Sequence, residues 1–154
     1  MCGLAVLLGS AVAVFALDHL TKWLVVRDIA LGQEVPASGP ITLHHIENRG
    51  AAFGLFPGLQ ALFLAVAVAV SIYILVVGHR AGTRPITRVS FGAVLGGAAA
   101  NAVDRFRQGY VVDFVDLHRW PIFNVAEAAI VVGIIVTAFT LGTRPAPGAA
   151  ETAR

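Results

Sequence analysis

Cysteine and charge are the two features that this sequence has least of. Cys2 is the only cysteine among the 154 residues, so neither an intramolecular disulfide nor a CxxC metal site can form. The five histidines contain no HExxH pair. His44 and His45 are adjacent in a predicted strand and would point to opposite faces. The sequence therefore predicts no metal site and no cofactor.

The shortage of charge indicates a membrane protein. Charged residues make up 13% of the chain and hydrophobic residues 57%, whereas soluble domains have roughly 25% charged residues. The formal net charge of +2 is too small to suggest a nucleic-acid partner. The four serines lack a nucleophile-elbow motif, which argues against serine hydrolase chemistry. We predict an integral membrane protein with one compact domain.

Four apolar segments favour an all-α membrane protein with four transmembrane helices. They run from about Leu4 to Val26, Leu59 to Gly78, Val89 to Val103 and Ile122 to Leu141. A span needs about 20 residues, so the third segment must continue through Asp104 and Arg105. The basic link from His79 to Arg88 predicts that this link and both termini are cytoplasmic. We expect a four-helix domain over residues 1–142 and a disordered cytoplasmic tail over 143–154.

The link from Leu31 to Phe56 predicts a small sheet on the outer face. Gln33–Val35 and Ile41–Ile46 have strand-like composition and are separated by proline and glycine. The apolar residues after Asn48 suggest a short lid segment that returns toward the membrane. We therefore place an outer β cradle at about residues 31–56.

Alternating spans bring the polar residues of the apolar segments to one side of the membrane. Ionisable groups at membrane depth are costly and usually functional. The residues concerned are Asp18, Lys22, Asn48, Asn101, Asp104, Arg105, Asp113, Asn124 and Glu127. Their clustering depends only on four alternating spans and makes this face the candidate active site.

Helical spacing groups several of these residues. Asp18 and Lys22 are four apart and share a helix face, as a structural ion pair or as catalytic groups. Gly92 and Gly96 form a small-xxx-small pattern that permits close helix packing. Three further polar residues and one glycine continue along a face of the third segment: Gly97, Asn101, Asp104 and Arg105.

Asp113 and Glu127 are the pair with catalytic potential. Two carboxyl groups in a desolvated site share a proton, so one can activate water while the other protonates a leaving group. This is aspartic hydrolase chemistry. The alternatives are a proton-sharing pair without catalysis, or two acids paired separately with Arg105 or Lys22. The alternative that Asp113 acts with Asp116 is disfavoured, because we expect Asp116 to be a solvated or capping acid.

Five motifs in order resemble those of bacterial lipoprotein signal peptidase, also called signal peptidase II. The motifs are Asp18–Lys22, Asn48–Gly54, Gly96–Arg105, Val111–Phe114 and Phe123–Glu127. The resemblance implies an aspartic endopeptidase of the bacterial inner membrane. Its substrates would be diacylglyceryl-modified prolipoproteins, cut just before the lipidated cysteine, with membrane lipids as further partners. We expect a monomer with its active site near the outer face.

The resemblance also assigns roles to individual residues. Asp113 and Glu127 would be catalytic, although Glu127 stands where the family has its second aspartate. Arg105 and Asn48 would hold the substrate backbone, and Asn101 and Asn124 would orient the acids. Supports of the site are Asp18, Lys22, Gly97, Asp104, Phe123 and Ala126.

The glutamate at position 127 leaves a second function open. Its extra methylene adds roughly 1.3 Å of reach, and a displacement of about 1 Å can cost about 100-fold in rate. A weakened or inactive relative that binds lipidated precursors without cleaving them is the alternative. A proton-coupled transporter is disfavoured, because the sequence shows no internal repeat and the acids lie near one surface.

Overall fold

The structure, a computed structural model of the chain, describes residues 2–50 and 84–142 together with residues 65, 69, 72, 73 and 76. Those five isolated residues are helical. The rest of the second apolar segment, the lid after Gly50 and the tail over 143–154 lie outside the described residues.

Three helices dominate the described part of the chain: α1 (Cys2–Asp28), α2 (Pro85–Gln108) and α3 (Val125–Gly142). Pro85 lies in the first turn of α2, where its missing N–H costs nothing. Gly109 ends α2 in a left-handed conformation, with φ 78°, and its N–H donates to the Arg105 carbonyl. The first, third and fourth apolar segments thus form helices. α2 begins before Val89, and α3 begins after Ile122.

Two of these helices are long and apolar enough to cross a membrane, over Gly3–Asp28 and Pro85–Gln108. At about 1.5 Å per residue both exceed the hydrocarbon thickness of roughly 30 Å. α3 is apolar over Val125–Thr140 but shorter. Two of the four predicted spans thus correspond to helices of sufficient length and apolar composition. The arrangement of four spans stays a prediction.

Small residues hold the helices close together, as the glycine spacing predicts. A Cβ on Gly92 or Gly96 would collide with α1, at Ser10 and at the carbonyl of Ala11 respectively. Gly97 approaches α3 in the same way, because a Cβ there would lie 2.5 Å from the carbonyl oxygen of Ala126. α2 is therefore packed between α1 and α3, with its small residues at both contacts.

A three-stranded antiparallel sheet adjoins the helices. Its strands are β1 (Glu34–Val35), β2 (Thr42–Asn48) and β3 (Val111–Asp116), in the order β1-β2-β3. The two strands predicted in the first link are present. The third was not predicted, because five of its six residues are buried and it lacks the alternation that marks a half-exposed strand. Val112 and Phe114 of β3 pack with Val25 of α1.

Substituting Gly96 by alanine tests whether close approach stabilises the helix pair. The added methyl would meet the α1 backbone at Ala11, so we expect Gly96→Ala to destabilise the protein by about 1–3 kcal/mol. Gly9→Ala is the matched control, because its Cβ would meet nothing within 4 Å. Thermal unfolding in detergent measures both. Equal melting temperatures for Gly96→Ala and the parent would contradict this packing.

Candidate active site

A buried ammonium group forms the base of the site. The Nζ atom of Lys22 lies 2.6 Å from Asp18 Oδ2 and 2.6 Å from Asp104 Oδ2. It also donates to Asn101 Oδ1 at 2.9 Å. Helical spacing on α1 and on α2 places both halves of this cluster on facing surfaces. The Asp18–Lys22 ion pair predicted from the sequence is thus present, and it also includes α2.

Asp18 has a second contact that the sequence did not suggest. Its Oδ1 atom accepts a hydrogen bond of 2.8 Å from the backbone N–H of Ala126, in the first turn of α3. The first N–H groups of a helix have no partner within the helix. A carboxylate from α1 therefore satisfies one of them and fixes where α3 begins.

Asn124 caps the same helix from within its own chain segment. Its carbonyl accepts the first helical bond, from Ala128, and its Oδ1 accepts the N–H of Glu127 at 2.8 Å. The fourth apolar segment begins at about Ile122, but α3 begins at Val125. Phe123 instead pairs through its backbone with Val115, so Glu127 lies in the first turn of α3.

Asp113 is held at both carboxylate oxygens. Asn48 Nδ2 donates to its Oδ2 at 2.7 Å, and Asn124 Nδ2 donates to its Oδ1 at 2.6 Å. Burial raises the pKa of Asp113 to about 6. The two amide hydrogen bonds and the charges of Lys22 and Arg105 oppose that rise. The pair of amides thus orients the carboxyl group and favours its ionised form.

Glu127 faces the same space with one oxygen uncommitted. The residue is 7% exposed, and within the described ranges its Oε2 atom has no hydrogen-bond partner. The charges of Asp113 and Arg105 both act on its carboxyl group. Two buried carboxyl groups thus interact, one fully hydrogen-bonded and the other with a free oxygen.

Arg105 adds positive charge at the edge of this site. Its guanidinium makes two long hydrogen bonds, of 3.4 Å to the Asn101 carbonyl and 3.5 Å to the Gly50 carbonyl. Its buried Nε has no hydrogen-bond partner in the part of the chain that the structure describes. The Arg105 side chain can therefore bind another group, such as a peptide carbonyl.

The sequence-predicted site residues form one connected network. Asn101 contacts Lys22 and Asn124, at 2.9 and 3.3 Å, and no hydrogen bond joins it to either acid within the described residues. The Asn48 amide is engaged with Asp113. Phe123, Gly97 and Ala126 contribute backbone and packing contacts around the start of α3.

Asp116 does not join this network. Residues three apart in a strand point to opposite faces, which separates Asp116 from Asp113. Asp116 was expected to be a solvated or a capping acid, and at 9% exposed it is not the solvated one. Its capping role is present, since Oδ1 accepts the backbone N–H of His118 at 2.6 Å.

His19 borders the ion cluster, although its sequence context assigned it no role. Its ring stacks on Phe15 with centroids 4.3 Å apart, and its Nε2 lies 3.6 Å from Asp104 Oδ1. His19 and Lys22 are three residues apart on α1 and therefore share a helix face, and this spacing could have indicated that His19 lies near the cluster.

An apolar groove opens beside the acids. It has a volume of about 270 Å³ and is lined by Trp120, Phe123 and Val131 among others, with Glu127 at one edge. Glu127 is therefore the acid of the pair that borders this apolar surface.

The sequence matches a known family over most of its length. Residues 10–142 match the model of the family described as Signal peptidase (SPase) II. A lipoprotein signal peptidase of Moorella thermoacetica is 41% identical over 133 residues, covering 85% of this chain and 89% of the relative. Another, of Nitratidesulfovibrio vulgaris, is 37% identical over 152 residues, covering 92% of each.

Solved structures of bacterial membrane enzymes share the fold. One, determined by the in meso method at 2.3 Å, superimposes with a TM-score of 0.80 at 26% identity, covering 86% of this chain and 84% of the other. A second, at 1.9 Å, has a TM-score of 0.78 at 25% identity, covering 88% and 92%.

Replacing Lys22 by methionine tests the buried ion cluster. The change leaves Asp18 and Asp104 buried without their shared cation, so we expect a loss of about 3–5 kcal/mol in stability. Arg27→Met is the control, because Arg27 forms an exposed pair with Asp28 and its loss should change little. Thermal unfolding in detergent compares the two variants. A Lys22→Met protein as stable as Arg27→Met would refute the structural role of the cluster.

Proposed function

This chain belongs to the signal peptidase II family, and from that premise we propose that it removes signal peptides from diacylglyceryl-modified prolipoproteins by cutting just before the lipidated cysteine. The family is an aspartic protease of the bacterial inner membrane. The observation that carries the proposal is the buried acid pair. Asp113 is bound at both oxygens, and among the described residues Glu127 Oε2 has no hydrogen-bond partner.

The unequal environments of the two acids suggest their roles. Hydrogen bonds from Asn48 and Asn124 favour the ionised form of Asp113, which makes Asp113 the base. Glu127, facing that charge, holds the proton that the pair shares. Asp113 takes a proton from a water molecule as the oxygen of that water attacks the scissile carbonyl carbon. Glu127 donates its proton to the departing amine as the C–N bond breaks.

Arg105 and the apolar groove account for substrate binding. Arg105 is placed to donate to a carbonyl of the bound peptide. The groove beside Glu127 has the apolar lining that an acyl chain requires. Trp23 and Trp120 are each 55% exposed, as expected for side chains at a membrane interface. A lipidated precursor would thus bind with its acyl chain in the groove and its peptide beside the acids.

The proposal includes the arrangement in the membrane. A monomer with four spans over residues 1–142 and cytoplasmic termini would have the acid pair near the outer face. The outer sheet would lie over the same site as a cradle. Support comes from the basic link between His79 and Arg88 and from the position of Glu127 in the first turn of α3.

Glu127 also defines a second candidate function. A relative that binds lipidated precursors without cleaving them would have the same groove and network, with a glutamate unsuited to catalysis. The free Oε2 atom and the position of Glu127 in the first turn of α3 favour a working pair over this alternative.

Cleavage of a diacylglyceryl-modified prolipoprotein by the purified protein tests the function. We expect Asp113→Asn and Glu127→Gln each to lower kcat by about 100-fold or more, because each removes one proton-transfer group. Asp28→Asn, at an exposed acid, is the control and should cleave like the parent.

Glu127→Asp separates the two candidate functions in the same assay. A working acid pair requires the parent to cleave. If only Glu127→Asp cleaves and the parent merely binds the precursor, the non-catalytic role is correct. If neither protein cleaves, the peptidase proposal fails.

The pH dependence of kcat/KM tests the role of Asp113 as base. Asp113 must be ionised to accept a proton, so activity should rise with pH through a midpoint near pH 6, where its raised pKa lies. Asn48→Ala removes a hydrogen bond that lowers this pKa. The residual activity of that variant should therefore have its midpoint at higher pH. A midpoint near pH 4 in the parent would contradict the raised pKa of Asp113.

A further inference from the structure

A second group of chemically active side chains lies on the sheet, apart from the acid pair. Glu34 of β1, Asp116 at the end of β3 and His118 just beyond it bring one ligand atom each to within 4.8 Å of one another. The His118 ring lies between the two acids. Its Nε2 is 3.6 Å from Glu34 Oε1, and its Nδ1 is 3.6 Å from Asp116 Oδ1.

The two contacts of the His118 ring with the acids are not hydrogen bonds. Hydrogen bonds between N–H and oxygen are about 2.7–3.2 Å long, so both ring contacts are too long. Two ligand atoms bound to one Zn²⁺ at about 2.1 Å in tetrahedral geometry lie about 3.4 Å apart. Only one ring nitrogen of His118 can bind a given ion, because the two nitrogens point in different directions. One ligand atom from each of the three residues lies within 4.8 Å of the others, so small side-chain rotations would bring them to the spacing that such an ion requires.

The cluster is held in place by contacts that orient its acids. The hydroxyl of Thr42 donates to Glu34 Oε1 at 2.6 Å, and Thr42 is also the strand partner of Asp116. Ligating carboxylates in metal sites are commonly hydrogen-bonded in this way. His118 adopts a left-handed conformation, with φ 57°, and its N–H donates to Asp116.

A further histidine borders the cluster. His44 is the strand partner of Glu34, and its Nδ1 lies 3.6 Å from Asp116 Oδ2. Two carboxylates and two imidazoles therefore meet at one end of the sheet. Imidazole together with carboxylate is a donor set that suits zinc. The sequence showed no such motif, because the ligands come from three segments with no characteristic spacing.

We propose that Glu34, Asp116 and His118 bind a divalent cation of the zinc type, with His44 as an adjacent donor. The cation would balance the charge of two acids, one of them buried. It would also fasten β1 to the link between β3 and α3, which leads into Asn124 and the acid pair. Its role is structural, and it takes no part in the cleavage step.

Zn²⁺ binding to the full chain tests the proposal. The protein, freed of any affinity tag and stripped with chelator in detergent, is titrated with Zn²⁺ alone by calorimetry. We expect one saturable site, weakened by about 10-fold or more in His118→Asn and in Glu34→Gln. Glu47→Gln is the control, because Glu47 lies on β2 and pairs with Arg49 instead.

His118→Asn separates ligand loss from misfolding. Asparagine adopts positive φ values as histidine does, so the variant should melt like the parent without Zn²⁺. Added Zn²⁺ should raise the melting temperature of the parent and of Glu47→Gln but not of His118→Asn. Absence of saturable binding by the parent would overturn the proposal. So would equal affinities in the parent and His118→Asn, which would leave the cluster as ordinary histidine–acid pairs.

Discussion

The rest of the structure depends on the ion cluster around the buried ammonium group of Lys22. A charge removed from water must be paired and hydrogen-bonded. Lys22 meets this requirement with two carboxylates and an amide, contributed by α1 and α2. Because Asp18 also accepts the N–H of Ala126, the same ion cluster fixes the start of α3. The small residues of α2 then allow the three helices to approach closely enough for these short side chains to meet.

The chemistry of the site follows from this arrangement. Once the start of α3 is fixed, Asn124 has one face toward the helix end and the other toward Asp113. The sheet contributes Asn48 from the opposite side. One carboxyl group is therefore bound at both oxygens, while Oε2 of Glu127 has no partner in the part of the chain that the structure describes. The two acids thus have unequal hydrogen-bonding environments, which is the asymmetry that the proposed acid–base roles use.

Much of this could be predicted from the sequence, for identifiable reasons. The apolar segments predicted α1 and α2, and the glycine pattern predicted their close contact, because both signals are local. The spacing of Asp18 and Lys22 predicted their ion pair. The strand β3 was missed because its residues are nearly all buried and show no alternation. The start of α3 was misplaced because it is set by contacts from Asp18 and by the backbone pairing of Phe123.

The sequence by itself determined the class of protein, the helices and the set of polar residues that had to meet. Composition and periodicity are properties of the chain itself. The few charged groups of an apolar chain must pair with one another where they are buried. Only the tertiary structure decided which polar group contacts which. Asn48 binds Asp113, Asn101 binds Lys22, and Glu34 lies beside His118. These contacts join residues far apart in sequence, and their geometry is set by helix packing and strand register, which no local pattern encodes.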